Sequence, residues 1–115
     1  MIKRKNDQKT EMRKEIRGGP GEVRMTHHLQ KEDFTAKCRL CAKLVLPPGS
    51  GIGLHEHKDE DEVFIIQQGK GEMDDNGKKI EINAGDAVIT GKGSTHSILN
   101  TGNEDLIVTA IIIQY

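Results

Sequence analysis

Aromatic side chains are nearly missing from this chain of 115 residues: there is no tryptophan, and only Phe34, Phe64 and Tyr115 carry large rings. A core of this size must then be built from aliphatic Ile, Leu and Val. No apolar run approaches the roughly 20 residues of a membrane-spanning helix. The basic start, Met1 to Lys5, is not followed by the apolar stretch of a secretory signal, and the expected compartment is the cytoplasm. An excess of one charge is also absent. Seventeen basic residues face eighteen acidic ones, which gives no electrostatic footprint for nucleic acid or an anionic membrane. Cysteine is limited to Cys38 and Cys41. A C-x-x-C pair suggests redox chemistry or half a zinc site. Yet the segment Lys37 to Leu46 alternates like a strand, on which residues three apart face opposite ways, and no second C-x-x-C follows. The competing reading is two reduced thiols, at least one of them packed.

Glycine is plentiful, at thirteen residues, as a fold of many short strands and turns requires. Residues 1–21 are highly charged and read as a short helix around Thr10 to Arg17 or as an N-terminal arm outside the core, ended by Gly18-Gly19-Pro20-Gly21. From residue 22 to 115 the period is two. Val23, Met25, His27 and Leu29 share one face, with His28 on the other, exposed side. Leu40, Ala42, Leu44 and Leu46 form a second such face, broken by Pro47-Pro48-Gly49. Glu62 to Gln68 is a further strand. Gly71 to Asp74 and Lys78 to Ile82 flank Asn76-Gly77, the strongest short hairpin signal. Ala87 to Thr90, His96 to Asn100 and Leu106 to Gln114 complete eight or nine short strands, which predicts an all-β sandwich, barrel or jelly roll. The last strand is apolar on both faces, so the outside of one sheet is expected to be covered, by a second subunit in a homodimer.

The chemistry concentrates in Gly49 to Gly69. His55 and His57, two apart on a strand, put both imidazoles on one face. Lys58 to Asp61 allow a tight turn that brings Glu62 in on the adjacent strand beside them. Two imidazoles and a carboxylate suit non-haem iron and related metals, and His96 can add a third imidazole from a neighbouring strand. Against this, a His-x-His is often a surface feature, and Glu60-Asp61-Glu62 reads equally as a solvated charge run. His27 is a candidate second group near the metal, as a general base, or else a satisfied, partly buried histidine. Arg39 either binds an anionic substrate or pairs with an acidic residue on the barrel exterior. Phe64 and Ile66 share strand parity with Glu62 and are candidates for an apolar wall.

These residues resemble the two motifs of the cupin superfamily. Gly49, His55, His57, Glu62 and Gly69 satisfy every fixed position of the first. Gly85, Gly93, His96 and Asn100 match the second, with Gly91 standing where proline is usual. The resemblance implies a double-stranded β-helix, a jelly-roll barrel with its metal inside the wider mouth. It carries the ligand role onto His55, His57, Glu62 and His96, for one divalent ion per chain: Mn, Fe, Ni, Co or Zn. It implies either a metal-dependent enzyme (decarboxylase, dioxygenase or isomerase) acting on a small carboxylate, carbonyl or sugar-like substrate, or a non-catalytic module that binds such a ligand. Small cupins of this pattern look like isolated domains of oxalate-decarboxylase-like proteins.

Overall fold

A computed structural model describes all residues, 1–115, and every extended element is a β-strand. Ten strands follow one another: β1 (Lys9–Lys14), β2 (Glu22–Leu29), β3 (Cys38–Leu46), β4 (Gly51–Glu56), β5 (Glu60–Gln68), β6 (Lys70–Asp75), β7 (Lys78–Asn83), β8 (Ala87–Thr90), β9 (Thr95–Asn100) and β10 (Leu106–Gln114). They form a six-stranded sheet in the order β1-β2-β3-β10-β5-β8 and a four-stranded sheet in the order β4-β9-β6-β7. All pairings are antiparallel, and the crossovers between sheets give the jelly roll.

The core lies between the sheets and is aliphatic, as the shortage of rings dictates. Val23, Ala42, Leu44, Leu46, Phe64, Ile66, Met73, Ile98, Leu106, Val108 and Ala110 are all at most 2% exposed. On β3 the inward set is Ala42, Leu44 and Leu46, as period two requires. The β6–β7 hairpin turns at Asn76 and Gly77, both with positive φ, and the Gly77 N–H donates to Asp74 Oδ1 at 2.8 Å. Asn100, buried at the end of β9, donates from Nδ2 to the carbonyls of Leu46 and Glu104 and accepts from the Gly102 N–H. It thereby ties the turn after β9 to the end of β3.

Several expectations need correction. Residues 9–14 are not helical. They form the edge strand β1, paired along its length with β2, and Glu15 and Arg17 with positive φ end it. The mixed charges of this segment suit a strand with one exposed face, and the pairing partner decides what local propensity does not. His28 is not exposed. A register shift between His27 and Leu29 half-buries it, and its Nδ1 lies 2.7 Å from Gln8 Oε1. β5 starts at Glu60, so the turn is confined to residues 57–59, with Asp59 at φ 59°. The cysteines do diverge in environment: both are free thiols, Cys38 buried and Cys41 half-buried. β10 lies in the middle of its sheet, between β3 and β5. Its inner residues are buried, while Ile113 on the outer face is 46% exposed.

Candidate metal centre

His55 and His96 are direct cross-strand partners on β4 and β9. His57 lies just past the end of β4, where its N–H donates to the Ser94 carbonyl at 3.0 Å and its own carbonyl accepts from the Gly93 N–H. The β8–β9 turn thus sets the backbone of His57. Glu62 comes from β5 in the other sheet. The sequence reading placed it beside the histidines, whereas it faces them across the barrel. The cluster is deeply set: His57, His96 and Glu62 are 2, 1 and 5% exposed.

The ring nitrogens define the chemistry. His55 Nδ1 lies 2.7 Å from the Gly53 carbonyl oxygen, which can only accept, so this nitrogen carries the hydrogen. His57 Nδ1 lies 2.8 Å from Glu60 Oε1. That carboxylate is gripped by Arg39, whose Nε and Nη2 donate to its two oxygens at 2.8 and 2.7 Å. The Arg39 contact, ahead of the His57 contact, pulls Glu60 down to about 2. Glu60 is therefore an acceptor, and His57 Nδ1 is also protonated. His96 Nδ1 is 3.0 Å from Thr90 Oγ1, and its ring stacks on Phe64 with centroids 5.0 Å apart.

With hydrogen on Nδ1, the Nε2 atoms of His55 and His57 face the centre, where each neutral ring offers a lone pair. Those two atoms are 3.0 Å apart, and His96 Nε2 is 3.0 Å from His57 Nε2 and 3.2 Å from His55 Nε2. Glu62 Oε1 stands 2.9 Å from His57 Nε2 and 3.0 Å from His96 Nε2. Lone pairs at such separations repel unless a proton or cation lies among them. Ligands at right angles, about 2.1 Å from one ion, stand about 3.0 Å apart, whereas tetrahedral ligands stand about 3.4 Å apart. The observed edges fit the first arrangement. His55 makes no contact with Glu62 within 4.0 Å, although all four donor atoms lie within 4.8 Å of one another. His55 and Glu62 thus occupy opposite corners. These four residues would hold a divalent ion through right-angled donors and would leave room on it for further ligand atoms.

Without an ion, the histidines and Glu62 answer one another's charge. Burial pushes Glu62 up, but the hydrogen bonds and charges of His57 and His96 together outweigh it, and the carboxyl stays below its ordinary range. His57 is raised, first by its contact with Glu62. His55 is lowered, chiefly by burial.

A cavity of about 210 Å³ opens over the centre. His55, His57 and Glu62 form part of its wall, with Leu40, Leu44, Ile52 and Ile112 as hydrocarbon and His27, Arg13, Arg17 and Arg39 as polar groups. His27 does reach the cavity. Its Nε2 is 2.7 Å from Glu11 Oε2 of β1, and Nδ1 has no protein partner. Arg39 is exposed and pairs with an acidic residue as one reading expected, and the pair stands at the cavity. Phe64 and Ile66 are buried behind the centre. Sequence reasoning missed Glu60, Thr90, Arg13 and Arg17. Glu60 was recoverable, since it shares strand parity with Glu62, Phe64 and Ile66; the other three carry no signal apart from the fold.

The chain belongs to the cupin family: a model of the cupin domain matches residues 42–112. An oxalate-binding protein of Thermotoga maritima is 48% identical over 113 residues, covering 98% of this chain and 93% of that one. A crystal structure from Thermotoga maritima, described as a predicted oxalate decarboxylase, superposes with a TM-score of 0.94 at 47% identity and covers both chains completely. The polyketide cyclase RemF from Streptomyces resistomycificus shares the fold, with a TM-score of 0.75 at 16% identity over 99% of this chain and 80% of that one. No helix of the chain is long and apolar enough to cross a membrane.

Proposed function

We propose that the protein holds one divalent metal ion through His55, His57, Glu62 and His96 and binds a small carboxylate at the ion's two open positions. The observation that carries this reading is the meeting of three imidazole Nε2 atoms and one carboxylate oxygen, with two of the rings turned by their Nδ1 acceptors so that Nε2 faces the centre. The right-angled donor edges favour Mn, Fe, Co or Ni over four-coordinate zinc. When bound, the ion supplies a Lewis acid and a template for a chelating ligand. The cavity is at the small end of ligand sites, which suits a dicarboxylate such as the oxalate of the Thermotoga relative's name.

Binding is the first reading and catalysis the second. His27 favours the second: it lines the cavity, is held by Glu11 and keeps Nδ1 free for a proton. In this scheme residues 22–115 are the cupin domain and residues 1–21 an appended arm. The chain works as a homodimer in the cytoplasm, with two free thiols suited to a reducing compartment. An apolar band on the outer face supports the dimer. Ile111 of β10, Val63 of β5 and Ile89 of β8 are lateral neighbours, and Ile89 is 66% exposed.

The test is a calorimetric titration of sodium oxalate into cobalt-loaded and chelator-stripped protein, with product analysis afterwards. Saturable one-to-one binding to the loaded form alone is expected. Equal binding to both forms, or to neither, would contradict the proposal. Conversion of oxalate that is lost in His27→Ala would select the catalytic reading.

A further inference from the structure

The three arginines at the cavity are not equivalent. Arg39 is matched by Glu60, and Arg13 Nε donates to Glu11 Oε1 at 2.5 Å. Arg17 takes part in none of the chain's ion pairs. Its backbone is also unusual, with φ 53° and ψ 30°, a left-handed conformation that a residue with a side chain adopts only when its surroundings impose it.

The imposing structure is a glycine seam. A Cβ on Gly53 of β4 would collide with the Arg17 carbonyl oxygen, and a Cβ on Gly19 would stand 2.6 Å from Gly51 O and Gly53 N. The loop's N–H groups close it further: Gly18 donates to Glu15 O, Gly19 to Ile16 O, and Gly51 to Pro20 O. Gly19 and Gly53 therefore let the loop lie directly on β4. That strand carries His55, two residues beyond Gly53, and the Gly53 carbonyl receives the His55 Nδ1 hydrogen. The loop that presents Arg17 and the strand that presents a metal ligand are locked together.

Charge counting shows what this device is for. A divalent ion on Glu62 leaves one net positive charge. The pairs Arg39–Glu60 and Arg13–Glu11 cancel, and Arg17 adds one more. The cavity thus offers two positive charges to whatever enters. We infer that Arg17 is a specificity residue, which reads the second negative charge of a dianionic ligand whose near oxygens occupy the metal's open positions. This rests on the metal-carboxylate reading above and extends it to a residue of the N-terminal segment.

The experiment uses cobalt-loaded full-length protein, with sodium oxalate and sodium acetate as probes in calorimetric titrations, and a chelator competition for cobalt affinity. Arg17→Gln is expected to weaken oxalate binding about tenfold or more, as loss of a charge-assisted contact does. Acetate binding should fall much less than oxalate binding, and cobalt affinity should stay at its wild-type value. Arg17→Lys, which keeps the charge, should lie closer to wild type than Arg17→Gln does. Gly53→Ala, which displaces the loop and keeps the charge, should weaken oxalate in the same direction. Wild-type oxalate affinity in Arg17→Gln would overturn this inference alone. Failure of the wild-type loaded protein to bind either anion would overturn the underlying carboxylate reading as well.

Discussion

One barrel interior has two ends, and the same strands serve both. Along β5 the inward side chains run Glu60, Glu62, Phe64 and Ile66, with exposures of 8, 5, 2 and 1%. Along β9 the inward set runs His96, Ile98 and Asn100, with 1, 2 and 2%. Burial is nearly equal, yet one end is hydrocarbon apart from Asn100, whose amide is fully hydrogen-bonded, and the other is charge. At the apolar end each side chain is stabilised by leaving water, about 1.5–3 kcal/mol for a large aliphatic one, and needs no particular partner. At the polar end burial alone is unfavourable, so every group must be matched. Arg39 answers Glu60, Glu60 answers His57, Thr90 answers His96 and Gly53 answers His55. What remains is a ring of donor atoms that could hold a metal ion. The first end supplies stability, and the second uses some of it to hold a site.

That division can be broken from either side. The largest effect is expected from Leu46→Ala at the apolar end, where the side chain is fully buried. A loss of about 2–5 kcal/mol in urea unfolding is expected, with metal content per folded chain unchanged. A smaller and opposite pattern is expected from Glu60→Gln, which keeps the shape and removes the charge between Arg39 and His57. Metal affinity should fall about 10- to 100-fold in chelator competition, as when the partner of a ligating histidine is lost. The unfolding midpoint of the metal-free protein should move less than in Leu46→Ala. If Leu46→Ala lost metal as readily as Glu60→Gln, the two ends would not be separable.

The two ends also differed in how far the sequence disclosed them. The apolar end is a repeated signal: Leu40 to Leu46 and Phe64, Ile66 alternate, and alternation survives in any all-β arrangement. The hairpin at Asn76-Gly77 was legible because both residues need positive φ. The four residues that could hold a metal were legible as a group through spacing and family resemblance. Their relation in space was not: nothing in Glu62 itself says that its strand lies in the opposite sheet. Glu60 was lost in a run of acids because the turn was carried to Asp61, two residues past its end at Asp59. Arg17, Glu11 and β1 were illegible for another reason. The charged segment pairs with β2 through backbone groups, which leave no mark on side-chain periodicity. Its reach to the cavity depends on Gly19 and Gly53, two glycines that could as well have been turns.

The central claim is that the ring of donors exists for an ion, and elemental analysis of protein purified without chelator tests it most directly, run in parallel on wild type and His57→Ala. The expected result is close to one divalent ion per wild-type chain and a small fraction of that in the variant, with the variant still folded by circular dichroism. A wild-type protein that is metal-free after incubation with Mn, Fe, Co and Ni salts, or a variant that carries as much metal as wild type, would contradict the account.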